Sequence, residues 1–329
     1  MAKQDSPRIA LVGASSILGK EIKDLLASSS YPSSSVALLD LEELAGVLTE
    51  YGDEARVLAE TAEAEILHQD LVCFCGDRRI VREHMPRILE AGHVALDCTG
   101  AWLHEPDAVL ALPAAGRLPS MRPGQAIVLP SAATQLLATV SAALGDAAAG
   151  LGGTILLPAS EPGDEGLDEL ARQCIAVLNL EDVPHAVFGR QQAFDIWPEP
   201  GTGDGEKASA LDIEHLRDLG LPIPAVAILC APVFHCLSAT LHVPGQETDL
   251  IMERLARAGI ARSEVDDDME ERIDSPVRMA GTSGVRVGLA WADGQDGTWL
   301  WVLMDNVVAR AEAALSTIQA LLPPPAIAD

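Results

Sequence analysis

Between Ala126 and Leu144 the chain sets a short apolar run, a turn of small residues and a helix-forming stretch in succession. They are Ala126–Leu129, then Pro130-Ser131-Ala132-Ala133-Thr134, then Gln135 to Leu144. That order suits a nucleophile, because free amide N–H groups and the helix dipole stabilise an anion there. Ser131 could supply a hydroxyl, but the sequence offers it no evident base or oxyanion partner, so a small turn residue is the plainer reading. Six cysteines, Cys73, Cys75, Cys98, Cys174, Cys230 and Cys236, contain no C-x-x-C pair and sit in apolar contexts. They read as buried small hydrophobes in a reducing compartment.

A second constellation is Gly13-Ala14-Ser15-Ser16-Ile17-Leu18-Gly19. It keeps the first and third glycines of G-x-x-G-x-x-G, with Ser16 in place of the middle one. In dinucleotide sites that glycine lets the backbone approach the pyrophosphate. A serine adds a Cβ and a hydroxyl, while the helix N-terminus can still hold an anion. If a nucleotide binds, Gly13, Ser15, Ser16, Ile17 and Leu18 would cradle it. Asp40, at the end of the second strand, is placed to bind the free ribose hydroxyls of NAD. An acidic loop on an acidic protein explains Asp40 equally well.

The elements that must position these groups follow from periodicity. Ile9–Val12, Val36–Leu39, Asp70–Cys75, His93–Asp97 and Ala126–Leu129 read as strands. Leu18, Ile22, Leu25 and Leu26 line one face of a first helix, and another runs from Arg79 to Ala91. Apolar strands alternating with helices predict a parallel, doubly wound α/β sheet of Rossmann type. Beyond it, Gly153–Leu157 is a strand and Gly166 to Asn179 a helix. Val226–Cys230 is expected to continue through Pro232 to Val243 as one long strand. Val285–Ala292 and Thr298–Met304 form a hairpin, and Val307–Leu322 is an amphipathic helix. This predicts an inserted α+β domain on a broad mixed sheet. The expected division is 1–130 plus 305–329 for the nucleotide-binding domain and 131–304 for the other. Apolar residues on both faces of the hairpin, including Trp291, Trp299 and Trp301, point to a homodimer.

Length and charge bound the rest. A chain of 329 residues suits two domains. A net charge of −27 argues against nucleic acid and anionic membranes as partners. The uncharged run Pro123–Gly145 contains Pro123, Gly124, Gln125, Pro130, Ser131, Thr134 and Gln135, and reads as buried strand and helix rather than a membrane span. Met1–Arg8 is polar and shows no leader, so cytoplasm is expected. Glu199–Glu206 and Glu264–Asp274 read as acidic surface loops.

Five blocks in order carry a resemblance over nearly the whole chain: IALVGASSILG, EHMPRILEAGHVALDCTGAW, FGRQQAFDIWPEP, APVFHCLSATLHV and LWVLMDNVVARAEAAL. They resemble the aspartate-semialdehyde dehydrogenase family, and within it the USG-1-like branch that lacks the catalytic cysteine. The resemblance implies a split nucleotide-binding domain, a dimer through the inserted domain, and NADP-dependent phosphorylating aldehyde oxidation. It also implies a cysteine nucleophile in P-N-C-[ST]-T, a histidine acid/base, a substrate-binding arginine and a glutamine.

Those positions have changed here. Aligning Pro130 and Thr134 puts Ala132 at the cysteine, and Ser238 puts Leu237 at the histidine. Pro232 puts Cys230 at the arginine, and Leu157 falls at the glutamine. Leu103 replaces a phosphate-binding arginine. On a continuous strand His235 would share the face of Leu237 about 7 Å away, and Cys230 and Cys236 would lie about 20 Å apart, too far to share a metal. Cys98 is the best spare thiol near the expected cleft, although a cysteine packed after a buried strand is the plainer reading. Gly76 remains where the family's S-A-G-G turn faces the nucleotide, with Asp77 and Arg78 replacing two glycines. Asn306 remains at the nicotinamide side, or as a structural corner. Glu43 stands where the family holds the 2′-phosphate of NADP, so NAD suits the chain better than NADP if either binds. The expectation is a pseudoenzyme with no catalytic residues, no metal and at most vestigial nucleotide binding. The alternatives are an NAD(P)-linked oxidoreductase of altered chemistry and a non-catalytic nucleotide or metabolite sensor.

Overall fold

The computed structural model describes residues 7–120, 122–199, 212–262, 274–295 and 297–324. The two acidic stretches read as surface loops lie outside these residues except for Glu199 and Asp274, and so does most of Met1–Arg8. The chain divides into two compact units, residues 1–130 with 310–329, and residues 131–309.

In the first unit the order is β1 (Ile9–Val12), α1 (Ile17–Ala27), β2 (Val36–Asp40), β3 (Leu48–Tyr51), β4 (Glu54–Val57), β5 (Ala59–Glu60) and α2 (Glu63–Leu67). Then come β6 (Leu71–Phe74), α3 (Arg78–Glu90), β7 (Val94–Asp97), β8 (Ala108–Leu110) and β9 (Ala126–Val128). Seven strands form one sheet in the order β5-β2-β1-β6-β7-β9-β8. Every pairing in it is parallel. β1, β6, β7 and β9 are buried at every position, as a sheet covered on both faces requires. The winding reverses between β1 and β6, so the loops after these two strands flank the switch point where such sheets take ligands. This is the predicted Rossmann-type sheet. The edge strands β5 and β8 and the small β3–β4 hairpin are additions. They are short, and none is buried throughout, so no apolar run announces them.

The second unit opens with α4 (Ala132–Leu144), β10 (Gly152–Leu157), α5 (Asp164–Asn179), β11 (Trp197–Pro198), β12 (Ala225–Cys230) and β13 (Leu237–Val243). It continues through α6 (Thr248–Arg257), β14 (Ala261–Arg262), α7 (Pro276–Met279), β15 (Val285–Ala292), β16 (Thr298–Met304) and the start of α8 (Asn306–Leu321). Its sheet runs β11-β12-β10-β13-β16-β15-β14. β10 pairs with β12 and β14 with β15 in parallel, and the other neighbours are antiparallel. The broad mixed sheet is as expected, and the β15–β16 hairpin has the expected bounds.

One expectation is corrected. Residues 225–243 are not one strand but two, and they lie on opposite sides of β10. Pro232 has no N–H to continue a ladder, Val233 N–H turns back to the Ala231 carbonyl, and Cys236 adopts φ 72°. Gly153 is needed where β10 meets β13, because a Cβ there would stand 2.0 Å from the Thr240 carbonyl oxygen. Among the described residues no helix is long and apolar enough to cross a membrane.

Candidate functional site

The broken strand brings together three positions that the sequence keeps apart. Cys230 is paired with Leu157 across β12 and β10. Leu156 is paired with Ser238, which brings Leu157 level with Leu237 on β13. The row extends to Trp197 beside Cys230 and to Met304 beside Leu237. Residues directly opposite across a ladder share a face, so Trp197, Cys230, Leu157, Leu237 and Met304 form one line of side chains. All are buried except Cys230, which is half-buried. The row carries an indole, a thiol, two isobutyl groups and a thioether, with no carboxylate, imidazole or basic side chain among them.

Cys230 does not compensate. Its thiol is pushed up to about 12, first by burial and then by the Glu199 carboxylate, with Arg190 opposing and Glu161 adding to the rise. At neutral pH it is a protonated thiol, neither an anion clamp nor a thiolate nucleophile. The cysteines elsewhere follow the same logic. Burial raises the thiols of Cys75 and Cys98 well above their ordinary value, and raises that of Cys236 ahead of the nearby Asp305 charge. Cys98, the spare thiol, is fully buried with its Sγ 3.7 Å from that of Cys73. Cys174 and Cys230 are only partly buried, so uniform burial does not hold for all six.

The separation of about 20 Å between Cys230 and Cys236 fails with the continuous strand, since Cys236 belongs to the turn entering β13. His235 lies in the same turn rather than on a strand face, so its alignment with Leu237 also fails. Among the described residues no group of three or more His, Cys, Asp or Glu is placed to hold a metal ion.

Ala132 opens α4 and is fully buried. The helix begins three residues earlier than the sequence suggested because Ser131 caps it, its hydroxyl oxygen accepting the Thr134 N–H at 3.3 Å. The Ser131 hydroxyl also lies 3.2 Å from that of Thr134. Its backbone N–H donates to the carboxylate of Asp212 at 3.3 Å. Ser131 is thus a cap, and the amide beside it already faces an anion. Asp212 had no signal in the sequence, since it follows Ser131 by 81 residues.

In the first unit the glycine loop is laced to its neighbours. Gly13 takes φ 87°, and a Cβ there would lie 2.4 Å from the Gly76 Cα. Ser16 caps α1 by accepting the Gly19 N–H at 2.9 Å, and its hydroxyl donates to the Cys75 carbonyl at 2.8 Å. Both carboxylate oxygens of Asp40 accept backbone N–H groups, from Ser15 at 2.8 Å and from Leu41 at 3.0 Å. Ile17 and Leu18 are the first residues of α1. Asp77 caps α3, and Leu103 is buried.

Asn306 belongs to the second unit and is fully buried. Its amide oxygen accepts from the Ser160 hydroxyl and the Cys236 N–H, and its nitrogen donates to Glu161. Asp305 caps α8 through the N–H groups of Val307 and Val308. The structural-corner reading accounts for this pair without a ligand.

A family profile described as semialdehyde dehydrogenase, NAD binding domain, matches residues 8–117. The USG-1 protein homolog of Azotobacter vinelandii is 29% identical, over 94% of this chain and 95% of that one. An aspartate-semialdehyde dehydrogenase of Aquifex aeolicus is 24% identical over 95% and 96%. Among solved structures, a probable aspartate-semialdehyde dehydrogenase from Pseudomonas aeruginosa superposes with a TM-score of 0.81 at 25% identity, covering 96% of this chain and 98% of that one. Aspartate semialdehyde dehydrogenase II from Vibrio cholerae, complexed with ASA, gives 0.80 at 20% identity and the same coverage. The last likeness is one of fold.

Proposed function

The chain belongs to the aspartate-semialdehyde dehydrogenase family, and we propose that it is a member whose catalytic site has been dismantled. The observation that carries this reading is the row Cys230, Leu157, Leu237, level across three adjacent strands and without a charge or a proton carrier. Phosphorylating oxidation of an aldehyde needs a nucleophile, a proton acceptor and an anion clamp. Ala132 supplies no nucleophile, Leu237 no proton acceptor and Cys230 no clamp. The loss is collective, so no single neighbour repairs it.

The protein then acts through binding rather than turnover, and its first partner is a second copy of itself. Ile175, Leu178 and Leu180 on and just after α5, with Phe194 and Ile196, are exposed apolar side chains of the second unit. Such a concentration supports an interface. The test is a turnover assay of the purified protein with aspartate semialdehyde, phosphate and either NADP or NAD. We expect no reduction of nucleotide above the protein-free rate. Turnover at an enzyme-like rate, about 1 per second or faster, overturns the proposal.

A further inference from the structure

We infer that Asp40 fills the anion seat of the glycine loop from within the chain and thereby excludes a dinucleotide pyrophosphate. The family implies a nicotinamide dinucleotide at this loop, and the residues present do not fit one. A pyrophosphate is held there by loop N–H groups and by the first turn of the following helix. In this chain the loop's own donors, from Gly13 to Ser16, are engaged. Gly13 and Ala14 N–H both donate to the Leu39 carbonyl, at 2.9 and 3.2 Å, and Ser16 N–H donates to the Gly13 carbonyl at 3.1 Å. Gly19 N–H goes to the Ser16 hydroxyl oxygen. Ser15 N–H points at a carboxylate, 2.8 Å away.

The carboxylate is fixed as well as close. Asp40 is only 4% exposed, so it presents little to a ribose approaching from solvent. Its second oxygen accepts the Leu41 N–H. Its backbone carbonyl accepts both the N–H and the hydroxyl of Thr61, at 2.9 and 2.8 Å, which holds the end of β2. Glu42 and Glu43 follow at once, adding negative charge along the approach. The retained glycines have another use. A Cβ on Gly19 would stand 2.2 Å from the Gly13 carbonyl oxygen, and a Cβ on Gly76 would stand 2.7 Å from the Gly13 Cα. Close packing of backbone on backbone therefore requires all three glycines, whether or not a ligand approaches.

This rests on the proposed family reading only for the location of the nucleotide site. The experiment reads binding alone, by thermal shift and titration calorimetry with NAD and NADP up to about 5 mM. The wild-type protein is expected to show no ligand-dependent shift. Asp40→Ala frees the Ser15 N–H and removes the charge, and a rise of about 3 °C with NAD is expected. D40N removes the charge but keeps an acceptor of the same size, so it gains a smaller shift and carries the test if the alanine variant fails to fold. A clear shift of the wild-type protein by about 1 mM nucleotide overturns the inference. So does a folded neutral variant, checked by circular dichroism, that gains no binding. Nucleotide binding without turnover would leave the proposed loss of catalysis intact, whereas turnover would overturn that proposal.

Discussion

Ala132 and Leu237, the positions that the proposed reading assigns to a lost nucleophile and a lost acid/base, are fully buried apolar side chains. Leu237 is fully buried between β10 and β16, so an imidazole there would lose its hydration without an obvious partner. Burying an unpaired polar ring costs about 2–4 kcal/mol, and more once it is protonated. Leu237→His should therefore lower stability in urea unfolding at pH 7, and lower it further at pH 5. Ala132→Cys should fold, because it adds one sulfur, yet give no acyl-enzyme burst with aspartate semialdehyde and NADP. A burst from that single variant would mean that proton transfer and substrate clamping survive in groups other than those at Leu237 and Cys230. On the proposed reading, restoring chemistry requires changes at several positions at once, and the one at Leu237 lowers stability.

At the element scale, the β15–β16 hairpin is tied to β13 by one titratable group. The Asp293 carboxylate accepts the Gln295 N–H at 2.6 Å, His242 Nε2 at 2.7 Å and the Gly297 N–H at 2.9 Å. These donors, the Gln295 amide first, hold its carboxyl below the ordinary aspartate value. A carboxylate with a depressed folded pKa contributes stability that is present above its unfolded pKa. That contribution is lost as pH falls through the folded value, here below about pH 4. Asp293→Asn should therefore lower the unfolding midpoint at pH 6 and narrow the gap between pH 5 and pH 3. Trp299 fluorescence is a suitable readout, because its ring centroid lies 4.7 Å from that of His242. An unchanged gap would assign the acid response to other carboxylates.

The hairpin was legible in the sequence because its two apolar runs flank a turn within a few residues. The central parallel strands were legible because each is a continuous apolar run. The division of 225–243 was not, since both halves are apolar and only a proline and a left-handed cysteine mark the break. The row of Cys230, Leu157 and Leu237 also needed the structure, because strand pairing is set by contacts distant in sequence. The same holds for Asp40, whose role depends on β2 lying beside β1. The positions at Ala132, Leu237 and Cys230 came from resemblance to a family, and no spacing rule would have found them.

For the whole molecule, charge and apolar surface pull association in opposite directions. Each chain carries a net charge of −27, so two copies repel one another at a distance. Ile175 and Leu178 lie one helical turn apart on α5, Leu180 follows in a left-handed conformation, and Leu180 is 94% exposed. On the hairpin, by contrast, Trp291 is exposed at 39%, Trp299 and Trp301 are half-buried, and the Trp301 ring nitrogen donates to the Asp274 carbonyl. The free apolar area is therefore greater around α5 than on the hairpin. If the proposed dimer is held by this area, screening should strengthen it. The Debye length shrinks from about 30 Å at 0.01 M salt to about 3 Å at 1 M, which removes repulsion without weakening apolar burial. Sedimentation equilibrium should then show tighter dimerisation from about 0.02 to 0.5 M salt, and Leu178→Glu with Leu180→Glu should abolish it at both. A dimer that loosens with salt would instead be held by ion pairs. A monomer at micromolar concentration at every salt level would leave the apolar face of α5 to a different partner.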